Sequence, residues 1–523
     1  MSGTTSRRTV LRAAAVAAAA GPLVGAQAAR AAGPHYVQSA GGREPAAVRD
    51  LRAFIEERLT RYDIPGAAVG VRYRGVDHVF GLGVTNIADP APVDADTVFR
   101  IASTSKTFTG TAIMRLAEHG RIDLDRRVRH YLPDFRVADE RASERVTVRQ
   151  ILDHSAGWLG DFFLDPGSDD AALARYVEGM TRLPQLTPPG RVMHYNNAAL
   201  SLAGRVIEAV TGTTYERAVH DLLLAPLGLD TSAFTLDDLP GATVAVPHLP
   251  DATGALVPVP AAFAIPRSIN PAGGLISSAR DQLRWARFHL GDGRVPGGGR
   301  RLLSERSLRA MRSRPGPAGT LYVEIDGFGV TWMIRPTAEG PRVLQHGGDW
   351  DGQHSGFLIV PERDFALTVL TNSETGPLLT LDLFADDWAL DRFLGLHNLP
   401  AVPRSLPARE LAPYAGSYTA RQIGFQGEEA AITLDIAAGD GQLVVSSGGV
   451  EALRLAFYRR DHVLVLYPDG SEQHIRATFG RDPDGGIAWF RYGGRLYLRG
   501  PATLAARSSA GLPRPGTLPY PAR

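Results

Sequence analysis

The only lysine in this chain of 523 residues is Lys106, and Ser103 stands three positions before it. Every other Lys or Arg position holds an arginine. An arginine stays protonated at physiological pH, whereas a buried lysine can lose its proton near neutral pH and act as a base. A serine hydroxyl is a nucleophile that such a base activates. The pair therefore predicts nucleophilic catalysis by Ser103. The alternative is that a serine stands three positions before the lysine by chance, and further catalytic residues elsewhere in the chain would argue against it.

The apolar residues after Ser103 predict a helix that begins close to it. Phe108, Ile113 and Leu116 recur at helical spacing. Because positions i and i+3 share a helix face, Lys106 can reach Ser103. The N-terminus of such a helix also offers backbone N–H groups and a positive field to an oxyanion.

A serine nucleophile also needs a group that passes its proton to the leaving group, and Tyr195 is the candidate. A tyrosine beside a cationic lysine has a lowered pKa and can exchange protons with a serine hydroxyl. Asn197, two positions later, can hold a substrate carbonyl and orient Lys106. It also precedes the apolar-periodic run 198–210, so its alternative role is that of a helix N-cap.

Small and polar residues at 346–349 form a third candidate segment. Gly347 and Gly348 have no side chains, so a substrate backbone can approach them closely. The N–H of Asp349 can then join that of Ser103 in an oxyanion hole. His346 adds a polar or positive group beside the site.

The composition excludes several classes of function. A hydrophobic fraction of 44% is typical of globular proteins, and a net charge of +1 does not favour nucleic-acid binding. The absence of cysteine excludes disulfides and thiolate metal sites. After the N-terminal leader, no segment has about 18 consecutive apolar residues, so no stable membrane span is expected.

The N-terminal residues predict an exported protein. Arg7 and Arg8 precede an alanine-rich apolar run at 13–24, a pattern typical of a twin-arginine signal peptide. The predicted signal covers residues 1–32, and a linker follows at 33–44. A Sec signal and a mitochondrial-type presequence are the alternatives.

Helices and strands are both expected in the region 45–398. Helical spacing predicts helices at 51–59, 198–210 and 279–290. β-Rich composition predicts strands at 67–73, 79–84, 327–334, 357–360 and 365–371. The first two are expected to pair in a hairpin.

A proline-rich linker at 399–410 leads to a β-rich region at 411–500. Short β-type runs separated by turns occur there at 432–436, 443–445, 463–467, 475–479, 488–490 and 496–498. Regular short strands of this kind predict a small antiparallel barrel or sandwich. Residues 501–523 are rich in Pro and Ser and are expected to be disordered.

Three of these segments resemble, in this order, the motifs of the class C β-lactamase family of serine hydrolases, which includes penicillin-binding-protein-like D-aminopeptidases, DD-peptidases and esterases. The matching segments are Ser103-x-x-Lys106, Tyr195-x-Asn197 and His346-Gly347-Gly348. Stretches at 151–157 and 273–285 are also similar to family segments, and the resemblance covers residues 50–396.

The resemblance implies an α/β (α+β) fold of the β-lactamase/transpeptidase type at 45–398, with an antiparallel sheet flanked by helices and a helical subdomain. It also implies a small all-β, lipocalin-like barrel as the C-terminal domain. Ser103 would be the acylated nucleophile, Lys106 its activator and Tyr195 the proton shuttle. Asn197 would bind substrate, as would the segment 346–349. The N–H groups of Ser103 and Asp349 would form the oxyanion hole.

The third segment departs from the family pattern in two ways. His346 stands where β-lactamases carry a lysine, which disfavours efficient lactam hydrolysis. The stretch from Asp349 to His354 is bulkier and more acidic than the family's small residues, and this favours a cationic group, such as a free amino terminus, in the substrate. Metal binding by His346, Asp349, Asp351 and His354 is an alternative, but their spacing matches no standard site, so neither a metal nor another cofactor is expected.

The sequence therefore predicts an exported serine hydrolase that forms an acyl-enzyme with D-amino-acid-containing peptides or amides, or with esters. A β-lactamase and a carboxylesterase are the alternatives within this class. A catalytically idle protein that binds cell-wall peptide is the alternative from another class. The expected partners are a small-molecule or short-peptide substrate and the cell wall, whereas nucleic acid is not expected.

Overall fold

The computed structural model describes residues 36–38 and 44–500. The predicted signal peptide, most of the first linker and the C-terminal tail lie outside these residues. The described chain divides into two compact units, of which the first comprises the residues up to Ala318 together with Ile325–Asn398. The second comprises Gly319–Glu324 and residues 399–500. None of the helices in the described ranges has the length and apolar character that a bilayer crossing requires.

Within the described residues, the first unit is built on an antiparallel sheet of eight strands. Their order across the sheet is Tyr36–Gln38, Val76–Gly83, Gly66–Tyr73, Phe365–Thr371, Gln353–Val360, Val343–Trp350, Met333–Arg335 and Gly327–Phe328. The strand Gly66–Tyr73 of the N-terminal hairpin pairs with Phe365–Thr371, and Val69 lies opposite Val369. The sheet thus joins the beginning of the unit to its end.

Helices pack on both faces of this sheet. Alternate strand residues such as Val69 and Leu358 are buried in one apolar core with Leu51 of the helix Ala46–Arg61. Neighbouring residues of the same strands point to the opposite face, because side chains alternate along a strand. There the helix Ala279–Leu290 lies against the central strands.

The chain between the first hairpin and the later strands is mainly helical. Its α-helices are Ser105–Glu118, Glu140–Arg145, Val148–Leu152, Ala172–Gly179, Asn197–Thr211, Tyr215–Val219, Ala225–Leu227, Asn270–Gly273, Ala279–Leu290 and Glu305–Ser313. Two short strand pairs lie in the same region, Val98–Arg100 with Ile276–Ser278 and His248–Pro250 with Leu256–Pro258. The helices Gly376–Thr380 and Trp388–Leu394 follow the last strand of the sheet.

The second unit contains a closed antiparallel barrel, which has eight strands in residues 399–500. They are Gly416–Ile423, Glu429–Ala438, Leu443–Ser447, Val450–Arg459, His462–Leu466, Glu472–Arg481, Ile487–Tyr492 and Arg495–Arg499, preceded by the short helix Ala408–Leu411. The first and last strands pair and close the barrel. Buried aromatic rings that contact one another, among them Tyr418, Phe479 and Phe490, form its core.

The segment Gly319–Glu324 belongs to the barrel unit although its flanking residues belong to the other. Glu324 accepts hydrogen bonds from Arg476 Nη1 at 2.9 Å and from Tyr458 Oη at 2.8 Å. Its carboxylate is buried, so these donors and the pairing with Arg476 compensate the loss of hydration.

The predicted fold class is confirmed. The expected helices and the N-terminal hairpin are present, and the C-terminal β-rich region is a barrel rather than a sandwich. The strands Gly416–Ile423 and Val450–Arg459 were not among the predicted β-type runs. Both carry charged and polar residues on their exposed side, which weakens the apolar signal on which the prediction depends.

Candidate active site

Ser103 lies in the 3₁₀ turn Ala102–Thr104, immediately before the helix Ser105–Glu118. The predicted helix start is therefore confirmed, with a tighter first turn. Lys106 Nζ lies 2.8 Å from Ser103 Oγ. The lysine side chain is fully buried, and Nζ also donates to the carbonyl oxygen of Ala272 at 2.6 Å. The two contacts fix the amine against the serine hydroxyl.

Local hydrogen bonds hold the turn in place. Ser105 Oγ donates to the Ala102 carbonyl at 2.6 Å and accepts from the Leu275 N–H at 3.0 Å. The Ile101 N–H donates to the Leu275 carbonyl at 3.0 Å. Ala102 has a φ of +44°, an uncommon conformation for a residue with a side chain, and it occurs directly before the nucleophile candidate.

Tyr195 is buried next to this pair. Lys106 Nζ lies 5.0 Å from the centroid of the Tyr195 ring. The ring of His154 stacks on that of Tyr195, with centroids 4.5 Å apart and planes 18° apart. The structure therefore brings together the three residues that the sequence singled out for proton transfer.

Asn197 is the first residue of the helix Asn197–Thr211, so the alternative to substrate binding, that it serves as the N-cap, is wrong. The cap is Asn196, whose side chain accepts a hydrogen bond from the Ala199 N–H at 2.8 Å. The Asn197 side chain is directed elsewhere, because its Nδ2 donates to Asp161 Oδ1 at 2.8 Å. Asp161 is a buried carboxylate that the sequence analysis did not identify.

The segment 346–349 lies in the strand Val343–Trp350, which runs directly beside the Ser103 turn. A Cβ on Gly348 would lie 2.7 Å from the Ser103 backbone nitrogen and would overlap the Ile101 carbonyl oxygen. Only a glycine allows this approach without a shift of the backbone. The strand Val343–Trp350 and the Ser103 turn therefore lie close enough for their backbone groups to act on the same substrate atom.

His346 is buried, and burial favours its neutral form over the positive one considered from the sequence. Burial and the nearby Lys106 lower the pKa of His346 to about 3. Its Nδ1 lies 2.7 Å from the Gly347 carbonyl oxygen, to which only a protonated nitrogen can donate. Its ring centroid is 6.1 Å from that of Tyr195.

Asp349 and His354 face each other across the hairpin that follows Gly348. His354 Nδ1 lies 2.9 Å from Asp349 Oδ1. Glu374 accepts from the Gly352 N–H at 3.1 Å, and burial raises the pKa of its carboxyl. In the described ranges, no group of three or more His, Cys, Asp or Glu residues is arranged so that it could hold a metal ion.

Several neighbours of these residues were not predicted from the sequence: His154, Asp161, Ala272 and Phe328. Ala272 contributes only its carbonyl oxygen, for which a sequence has no signal. The ring of Phe328 contacts those of His154 and Tyr195. In the sequence, nothing distinguishes this phenylalanine from the other aromatic residues of the core. His154 was noted only within a stretch similar to a family segment.

Known proteins are similar to this chain over most of its length. The β-lactamase family model matches residues 51–387. Penicillin-binding protein 4 of Amycolatopsis lactamdurans is 34% identical over 363 residues, which are 69% of this chain and 94% of that protein. The structure of SurE has a TM-score of 0.69 and 29% identity, and the match covers 87% of this chain and 99% of SurE.

A structure of SurE with D-Leu gives a TM-score of 0.67 at 28% identity, over 87% of this chain and 100% of that one. A class C β-lactamase from Rhodobacter sphaeroides is alike in fold, with a TM-score of 0.50 at 23% identity over 62% of this chain and 93% of that one. The family model and the relative from Amycolatopsis together show that this chain belongs to the β-lactamase family of serine hydrolases, which includes penicillin-binding-protein-like members.

Proposed function

We propose that the protein hydrolyses D-amino-acid-containing peptides or amides, or esters, through an acyl-enzyme on Ser103. The observation that carries the proposal is the 2.8 Å contact between Ser103 Oγ and the Nζ of the fully buried Lys106. Burial disfavours the charged form of an amine, so that more of the amine is unprotonated and able to act as a base near neutral pH. A lysine in this position can take the serine proton as the oxygen attacks.

In the proposed acylation step, Ser103 Oγ attacks the substrate carbonyl carbon and its proton passes to Lys106. Tyr195 relays a proton to the leaving group, so that the bond to the amine or alcohol breaks as a neutral product forms. The remaining acyl group is bonded to Ser103 Oγ. A water molecule then attacks this ester with the same groups acting in reverse, which releases the acid and restores the serine.

The negative charge that develops on the carbonyl oxygen needs donors that are already in position. The backbone N–H groups of Ser103 and Asp349 serve this purpose in the proposal. Gly348 supports it, because its lack of a side chain lets the strand lie against the Ser103 turn. Asn197 binds a polar group of the substrate, and Asp161 holds the amide of that side chain.

Two observations favour a D-amino-acid substrate over a lactam. SurE, which is 28% identical to this chain in that comparison, has been solved with D-Leu. His346 is neutral, so this chain lacks the positive charge that a lysine brings to the corresponding place in β-lactamases. The carboxylates of Asp161 and Asp349 favour a substrate with a free amino group.

A hydrolysis panel on the purified protein tests the proposal: D-alanine p-nitroanilide, its L-isomer, a short-chain nitrophenyl ester and a chromogenic cephalosporin. We expect kcat/KM for the D-anilide to exceed that for the L-isomer by roughly tenfold or more. All turnover should vanish in Ser103→Ala. If the cephalosporin is the best substrate, the protein acts as a β-lactamase. If nothing is hydrolysed in a serine-dependent way, the proposed hydrolase function is wrong.

We also propose that the protein acts outside the cytoplasm, at or near the cell wall. The proposal rests on Arg7, Arg8 and the apolar run that follows them in the sequence. Replacement of both arginines by lysine should keep the protein in the cytoplasmic fraction of an expressing bacterium. Export at the original level would contradict the twin-arginine route.

A further inference from the structure

His154 occupies an unusual place after Asp153, the residue that caps the C-terminus of the short helix Val148–Leu152. It is fully buried, and its backbone has a φ of +61°. A non-glycine residue in this left-handed region costs conformational energy, so the conformation persists only where the surrounding contacts require it. The mechanism proposed above gives His154 no part in the chemistry.

The contacts of His154 surround Tyr195. Its backbone carbonyl accepts from the His194 N–H at 2.9 Å, and its ring Nδ1 accepts from the Asn196 N–H at 2.9 Å. Its ring lies flat on the Tyr195 ring, 4.5 Å away. One residue thus holds the backbone on both sides of the tyrosine and one face of its side chain.

The ring of His154 is itself held in one orientation. Phe328 packs edge-on against it, with centroids 4.3 Å apart and planes 73° apart. The hydrogen bond from Asn196 requires that Nδ1 carry no proton, because a backbone N–H can only donate. The ring is therefore neutral, and its Nδ1 is held by the backbone N–H of Asn196, the residue that follows Tyr195.

The residues that follow His154 continue the same contact with the tyrosine segment. The Trp158 carbonyl accepts from Asn196 Nδ2 at 2.8 Å, and the Gly160 carbonyl accepts from the Ala198 N–H at 2.9 Å. A side chain on Gly160 would overlap the Tyr195 carbonyl oxygen. The segment 154–160 therefore packs closely along residues 194–198.

We propose that His154 is a positioning residue that sets the place of the Tyr195 hydroxyl relative to Ser103 and Lys106, an inference that rests on the proposed proton transfer by Tyr195. The ring stack fixes the plane of the tyrosine, and the two hydrogen bonds fix its Cα. A displacement of about 1 Å at a reacting group can cost on the order of a hundredfold in rate, so loss of these contacts slows acylation.

A double-mutant cycle on the full-length protein tests this role. The variants are His154→Ala, Tyr195→Phe and their combination, and the readout is the second-order rate constant for labelling of Ser103 by a fluorophosphonate. This probe reacts with an activated serine whatever the natural substrate is. If the wild type fails to label, the proposed function itself has failed, and that outcome is separate from any effect of His154.

We expect His154→Ala to slow labelling roughly tenfold to a hundredfold. Because His154 acts through Tyr195, the double variant should label within about threefold of Tyr195→Phe alone. If His154→Ala only weakened the fold, it would slow labelling by the same factor in the wild type and in Tyr195→Phe. Equal factors in the two backgrounds, or a wild-type rate in His154→Ala, would overturn the proposal.

Two further variants separate positioning from stability. His154→Asn keeps a residue that tolerates the left-handed conformation and offers an acceptor to the Asn196 N–H, so it should label faster than His154→Ala. His289→Asn changes another buried histidine, which packs against Trp285 and Trp332, and it should lower Tm while labelling at the wild-type rate. Failure of His154→Asn to label faster than the alanine variant would overturn the role of the ring acceptor.

Discussion

At the scale of single residues, the position of Lys106 explains why a chain that otherwise uses arginine contains one lysine. Its amine contacts the Ser103 hydroxyl and the Ala272 carbonyl oxygen, 2.8 and 2.6 Å away. A guanidinium has no unprotonated form at accessible pH and could not accept the serine proton. The selection of lysine at this position therefore follows from the chemistry proposed for the site.

The neutral state of His346 gives a prediction at the same scale. Because burial and Lys106 lower its pKa to about 3, the ring should not titrate between about pH 5 and 8, where an unperturbed histidine does. Histidine-ring NMR, with the resonances of His346 assigned by their loss in His346→Gln, measures this directly.

His397 is the internal control for that experiment. It is half-exposed, and its hydrogen bond with the Glu339 carboxylate raises its pKa above the ordinary value. Its resonances should shift clearly through the same pH range. A His346 ring that titrates together with His397 would mean that the site carries an additional positive charge near neutral pH.

Much of the site could be predicted at this scale, and the rest could not for a physical reason. Ser103, Lys106 and Tyr195 have side chains whose chemistry is visible in the sequence, and the structure brings them together. Ala272 contributes only a carbonyl oxygen. His154 acts through its backbone carbonyl, its ring Nδ1 and the face of its ring, and such contacts depend on the fold.

At the scale of elements, the site depends on how closely the strand Val343–Trp350 approaches the Ser103 turn. The sequence indicated a glycine-bearing segment at 346–349 that a substrate backbone could approach, and the structure has it within this strand. It did not locate the helix start after Tyr195, since Asn196 and Asn197 are chemically identical as caps. Only the backbone conformation decides which of the two asparagines caps the helix.

Gly348→Ala tests the approach of this strand. The added Cβ would lie 2.7 Å from the Ser103 nitrogen, so the strand or the turn must shift. We expect fluorophosphonate labelling of Ser103 to slow on the order of a hundredfold, because the displaced groups include the nucleophile and an oxyanion donor.

Gly273→Ala is the matched control for that variant. Its Cβ would also face the Ser103 turn, but at an ordinary contact distance of 3.6 Å from Ala102. It should label at nearly the wild-type rate. Equal rates for Gly348→Ala and Gly273→Ala would contradict the close approach of the strand as a requirement for reactivity.

At the scale of the whole molecule, the two units differ in how well the sequence predicts them. The β-rich C-terminal region was recognised by its turns, yet closure of the barrel depends on pairing between its first and last strands. That pairing joins residues far apart in the chain, and no local pattern encodes it. The register of the eight-stranded sheet is likewise set by long-range contacts.

The pH dependence of the free energy of unfolding is a property of the whole molecule, and Asp153 contributes to it. Burial raises the pKa of Asp153 to about 6, despite hydrogen bonds from the backbone and side chain of Ser155. The unfolded carboxyl ionises near pH 4, so between about pH 4 and 6 only the unfolded state loses its proton. The free energy of unfolding therefore falls as pH rises through this window, and the cost persists above it.

Asp153→Asn removes this ionisation and keeps an acceptor for Ser155. Relative to the wild type, we expect the variant to gain free energy of unfolding as pH rises from about 4 to 6, by on the order of 3 kcal/mol at the plateau. Urea unfolding of both proteins at pH 4 and pH 7 measures the difference. A difference that does not change with pH would show that folding does not raise the pKa of Asp153.

Mass-spectrometric mapping of the fluorophosphonate adduct in the wild type and in Lys106→Arg determines whether Lys106 activates Ser103. We predict one adduct, on Ser103, in the wild type. Lys106→Arg keeps a long nitrogen-bearing side chain, but its guanidinium is always protonated and cannot accept the serine proton, so the variant should form no adduct on the same time scale while keeping a wild-type circular dichroism spectrum. Labelling of Lys106→Arg at the wild-type rate, or an adduct on another residue, would contradict the account.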